Sequence, residues 1–162
     1  MNRIHKFWVL NSGDRFRLLQ ASLTLHLVRL GLLLLPFQTL LQMVERCNQG
    51  SQVPKTAIGE ETAIDAAVAS NLFTQTTWAI KIASRYTPGG AKCLAQALTT
   101  QILLGQRGYP THLRLGVHYD PQGRLIAHAW VEHNGEVIVG AIPSLEQFKL
   151  LTAPSTSQGD IA

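Results

Sequence analysis

The feature that most constrains this chain is a change of period near residue 110. Up to Gln106 the apolar residues recur at three- and four-residue spacing, and from Thr111 onward they alternate with polar ones. The first pattern belongs to helices with a buried face, the second to half-buried strands. Helices first and strands afterwards predict an α+β fold, with the helices laid on one face of a sheet. The 162 residues suit a single domain spanning 1–162. Hydrophobic residues make up 46% and charged ones 15%, against about 25% charged in an average domain. That balance excludes a disordered chain.

Residues 18–44 (LLQASLTLHLVRLGLLLLPFQTLLQMV) form the most apolar stretch. Its longest charge-free run, 30–44, is 15 residues, short of the roughly 20 that a bilayer crossing needs. Arg29 interrupts the wider segment, Pro36 breaks or kinks it, and Asp14 is the expected N-cap. A greasy helical lobe over 1–57 is the expectation, with a membrane surface or docked partner as the alternative cover for a helix apolar nearly all round. Residues 48–55 (NQGSQVPK) connect it to a core over 58–151. A helical pattern runs over 58–86 with a break expected at Asn71 or Thr74. It stops at Thr87-Pro88-Gly89-Gly90, and another helix follows over 91–106.

Beyond it, 111–119 alternates, Asp120-Pro121-Gln122-Gly123 turns, and 124–133 alternates again. Asn134-Gly135 is a hairpin signal and 136–140 completes a three-stranded antiparallel meander. A four-residue turn at 120–123 would pair Val117 with Ile126 and Leu115 with His128. Leu113, Leu115, Val117, Ile126, His128 and Trp130 would then share the helix-facing side. His112, His118 and His133 are expected in solvent. The polar tail over 152–162 is expected to be disordered.

Chemistry narrows to few residues. Cys47 and Cys93 form no CxxC pair and no cysteine–histidine cluster at zinc spacing, so no metal is expected. GxxxxGK[ST] and GxGxxG are missing, and no cofactor is expected. The net charge of +4 comes from scattered basic residues, which argues against a nucleic-acid partner. Charges throughout 1–14 do not resemble a secretory signal, and the expected compartment is the cytoplasm. Cys93 falls in the first turn of its helix, where free N–H groups and the helix dipole favour a thiolate nucleophile. The same position suits an inert buried thiol. His128, carried towards that helix by its strand, is the expected base, although a lone histidine on an apolar face is more often a core residue.

Cys93-Leu94 opening a helix, Leu103-Leu104-Gly105-Gln106-Arg107-Gly108 closing it, Leu115-Gly116-Val117, and Ala127-His128-Ala129-Trp130-Val131-Glu132 resemble the transglutaminase-like leader peptidases of lasso-peptide biosynthesis. Arg29-Leu30 and Leu35-Pro36-Phe37 are similar too, and the resemblance covers residues 15–151. It implies a papain- or transglutaminase-like core and a cysteine protease that removes the leader of a ribosomally made precursor peptide. Cys93 would be the nucleophile and His128 the base. It also implies a separate leader-recognition protein and an ATP-dependent macrolactam cyclase as partners, with no membrane. Another amidase or acyl transferase of the same fold, or a catalytically silent peptide-binding scaffold, are the competing readings.

One departure stands out. Family members with a full triad carry an acid about a dozen positions after the histidine, where this chain has Gly140 and Ala141. Glu132 lies roughly 13 Å along the strand from His128, and Glu146 is a distant candidate. A backbone carbonyl holding the ring is the remaining way to orient it. The Cys93 N–H is the expected oxyanion donor, with Gln96 or Trp78 as equal candidates for a second.

Overall fold

The computed structural model describes residues 11–49, 63–87 and 92–151. Four helices come first: α1 (Ser12–Leu34), α2 (Phe37–Gln49), α3 (Ala63–Tyr86) and α4 (Cys93–Gly105). Strands β1 (His112–Tyr119), β2 (Leu125–His133) and β3 (Glu136–Val139) follow. A 3-10 turn (Leu145–Gln147) then leads to a short β4 (Lys149–Leu150). The sheet is antiparallel with order β3-β2-β1-β4. The α+β architecture is therefore as expected, with β4 added at the far edge. Two residues are too few to show a period, which is why β4 escaped the sequence.

Local chemistry explains the helix ends. Asn11, not Asp14, occupies the N-cap position of α1; Asp14 lies in the first turn, where it pairs with Arg17 at 3.1 Å. Pro36 breaks the apolar segment outright: Leu35 before it is extended, as a residue preceding proline must be, and Leu40 restarts the ladder by donating to the Pro36 carbonyl. α3 runs unbroken through Asn71 and Thr74. Thr74 Oγ1 donates to Ser70 O at 3.0 Å, so its hydroxyl is satisfied inside the helix. The expected helical residues 58–62 and the tail 152–162 lie outside the described residues.

α4 sits at the centre. Nine of its residues are buried, because α1, α2 and α3 pack on one side and the sheet on the other. That arrangement covers a helix apolar all round. Leu18, Ala21, Leu25 and Val28 of α1 join Ile80 of α3 and Leu98 of α4 in one cluster. Ala97, Ala129, Val131 and Val139 form a second between α4 and the sheet. At the C-terminal end of α4, Arg107 donates to Leu103 O (2.7 Å) and to Gln20 of α1 (2.8 Å). The opposite face of α1 is open: Phe16, Leu19, Leu23, Leu27, Leu30 and Leu34 are all more than half exposed. Among the described residues α1 is the one helix long and apolar enough to cross a membrane.

The expected strand register is wrong by one. His128 pairs with Gly116, and Leu115 with Ala129. Asp120 is the cause: its carboxylate accepts from the Gln122 and Arg124 N–H groups (2.9 and 2.8 Å) and from the Arg124 side chain (2.7 Å). Arg124 is thereby held in the turn, which becomes five residues long. A one-residue slip flips every side chain of the second strand. Leu113 and Leu115 therefore share the α4 side with Ala129 and Val131, while His128 and Trp130 lie on the other face with Gly116. Phe148 covers that face: a Cβ on Gly116 would lie 2.9 Å from both Phe148 and Trp130.

Candidate active site

Cys93 is the first residue of α4, following Lys92 at the N-cap. Its N–H lies in the turn that has no intrahelical carbonyl to bond. The thiol is free and half-buried, packed against the small cluster between α4 and the sheet.

His128 reaches the same place by a route the alternation did not predict. The hairpin turn Asn134-Gly135 has both residues at positive φ (50° and 83°), as a two-residue turn of this kind requires. A bulge between Val131 and Glu132 then shifts the register, and β3 ends at Val139 opposite Val131. Past that end, Gly140 turns at φ 88° and its carbonyl oxygen lies 2.7 Å from His128 Nε2. Cys93, Gln96, His128, Ala129, Val139 and Gly140 together line a cavity of about 230 Å³. Cysteine and histidine thus line one cavity around the edge of β2, past the end of β3, with His128 on the face of the sheet away from α4.

The contact at Gly140 determines the tautomer. A carbonyl only accepts, so Nε2 carries the proton and donates it; Nδ1 is then the basic nitrogen of the neutral ring. The ring is held on two further sides, by Trp130 stacked at 6.2 Å with 19° between planes, and by Phe148 at 5.7 Å. Trp130 is itself fixed through Nε1–H to Glu132 Oε1 (2.8 Å), and Glu132 accepts from Arg114 at 2.8 Å on its other oxygen. Burial alone would raise the Glu132 carboxyl, but the bonds from Trp130 and Arg114 outweigh it and hold the group below its ordinary value. Glu132 is therefore too far along the strand to touch His128, yet it positions the indole on which His128 stacks. Glu146 lies exposed on the 3-10 turn.

The two candidates for a second oxyanion donor now separate. Gln96, one helical turn after Cys93, lines the cavity shared with His128; Trp78 lines a different concavity, between α3 and β3. His133 is not simply in solvent as expected. Its Nδ1 meets Pro110 O at 2.6 Å, and its ring packs edge-on to Phe73 at 5.0 Å. His118 likewise lies against Phe148, at 5.5 Å. Phe148 carried no sequence signal, because its role depends on β4 pairing back onto β1. Among the described residues no group of histidine, cysteine and carboxylate side chains could hold a metal ion.

The sequence model of the Transglutaminase-like superfamily matches residues 31–153, most of the chain and the whole of the site. No curated protein and no solved structure matches.

Proposed function

The chain belongs to the transglutaminase-like superfamily, and from that premise we propose that it is a cysteine peptidase that removes the leader from a lasso-peptide precursor. The observation that carries the reading is the shared cavity of Cys93 and His128, with the His128 ring fixed through Nε2 on the Gly140 carbonyl.

In this reading His128 Nδ1 takes the Cys93 thiol proton and the sulfur attacks the scissile carbonyl carbon. The oxyanion is met by the Cys93 N–H and by the Gln96 side chain. Collapse breaks the C–N bond, the imidazolium protonates the leaving amine, and a thioester remains on Cys93. Water, deprotonated by the same ring, then releases the acid. The amine freed in the first half is the N-terminus of the core peptide, ready for a macrolactam cyclase.

The Gly140 carbonyl performs one of the two tasks of a triad acid. It holds the correct tautomer, whose loss in a serine protease costs about four orders of magnitude. It stabilises the imidazolium less well than a carboxylate, since it offers a dipole where the acid offers a full negative charge. The stacked Trp130 indole offsets part of that deficit through its π face.

The test is mass spectrometry of a lasso precursor incubated with this protein and a leader-recognition protein. Wild type should yield leader and core fragments, and Cys93→Ala and His128→Ala should leave the precursor whole. Binding without cleavage by the wild type would instead support the silent scaffold.

A further inference from the structure

α1 carries two apolar stripes on opposite sides. Leu18, Ala21, Leu25 and Val28, at steps of three and four residues, are buried against α3 and α4. Phe16, Leu19, Leu23, Leu27, Leu30 and Leu34 recur at the same steps, yet each is between 52% and 71% exposed. A stripe of that period and width is how a helix faces a packed layer. α1 thus has the pattern of a helix between two layers, and among the described residues one of them is present. From Phe16 to Leu34 the open stripe is about 27 Å long. With Leu33, 79% exposed, it presents roughly 800 Å² of apolar surface, at about 110–130 Å² per residue. The largest apolar patch of a monomer is about 300–600 Å². A standard protein–protein interface takes about 800 Å² from each partner, so the stripe has the area of one side of such an interface.

We infer that this stripe is the interface of a homodimer, in which α1 of one copy packs on α1 of a second about a two-fold axis. In such a pair the same patch serves both sides, so it must be complementary to itself. Rows of leucine meet that condition, because their ridges interlock with identical grooves. No Asp, Glu, Lys or Arg side chain lies within the stripe to oppose its own copy, and Arg17 on its border is paired with Asp14 at 3.1 Å. Interfaces this apolar are those of homodimers more than of transient partners. A bilayer fits the stripe less well. α1 cannot cross one while its other stripe is packed into the core. Neither α1 nor α2 contains the Trp, Tyr or Lys side chains that hold a helix at a membrane surface. The dimer also leaves the candidate active site open. α1 and the sheet pack on opposite sides of α4, so pairing through the outer side of α1 keeps both Cys93–His128 cavities away from the interface. The inference does not depend on the peptidase reading.

Sedimentation velocity of the full chain over a range of concentrations tests it. The wild type should sediment as a dimer at micromolar concentration. Leu23→Gln combined with Leu30→Gln should raise the dimer dissociation constant at least about a hundredfold. The helical circular dichroism of that double variant should be unchanged, because both side chains are exposed. Leu23→Met, which keeps the volume of the side chain, should remain dimeric. A wild type that stays monomeric, or that associates without stopping at two copies, would overturn the inference, as would a dimer indifferent to the two glutamines. Two further results would assign the stripe to another occupant and overturn it too. One is a monomer that floats with phosphatidylglycerol–phosphatidylcholine vesicles and no longer does so as the double variant. The other is a monomer that joins a leader-recognition protein only while the stripe is intact.

Discussion

Gly140 is the residue on which the site turns. Its φ of 88° disfavours any side chain, and a Cβ there would lie 2.8 Å from Ala129 O and 2.8 Å from Trp130 Cβ. The acid that related triads place about here cannot be restored by substitution. Gly140→Asp and Gly140→Ala are expected to destabilise the fold by about 1–3 kcal/mol, read from thermal melts, and to lower cleavage with it. His128→Ala should cost at least about a hundredfold in kcat/KM with little change in melting temperature. Glu132 makes a pH prediction. Its folded-state value is depressed below the ordinary 4.5, so its contribution to stability is fully present above about pH 4.5 and is lost as pH falls through the depressed value. Melting temperatures measured between neutrality and pH 3 should fall on the acid side, and Glu132→Gln should flatten that fall. At this scale a backbone carbonyl as the support of the His128 ring was legible from the sequence, while the face of the sheet that carries His128 was not. Neither was Phe148, since nothing near it in sequence points to His128.

At the scale of elements, the periods of α1 to α4 and β1 to β3 were readable because each is long enough to repeat its pattern. The register was not. It depended on three hydrogen bonds to one carboxylate, that of Asp120, which pull Arg124 into the turn. Hydrophobic alternation could not reveal the error, since Ile126 and Trp130 are as apolar as Ala127, Ala129 and Val131. Asp120→Ala is expected to loosen the β1–β2 turn, and amide exchange at Tyr119 and Leu125 should quicken relative to Val131. Among the helices, Leu25 is fully buried between α1 and its neighbours. Leu25→Ala should cost about 2–5 kcal/mol, read as a lowered denaturation midpoint. A loss below 1 kcal/mol would contradict the packing of α1 into the shared core.

The molecule as a whole is organised around α4, which carries Cys93, the proposed nucleophile, at its first residue and forms the centre of the core along its length. Cys93 opens this helix half-buried, with the rest of α4 packed between the other helices and the sheet. The measurement that tests the account most directly needs no knowledge of the substrate. Intact-mass spectrometry can follow iodoacetamide alkylation of the wild type and of His128→Ala and His128→Gln. One fast-reacting cysteine, Cys93, is expected in the wild type, with a rate at Cys93 that falls at least about tenfold in both variants. A Cys93 that reacts no faster than Cys47, or at a rate indifferent to His128, would contradict the catalytic pair.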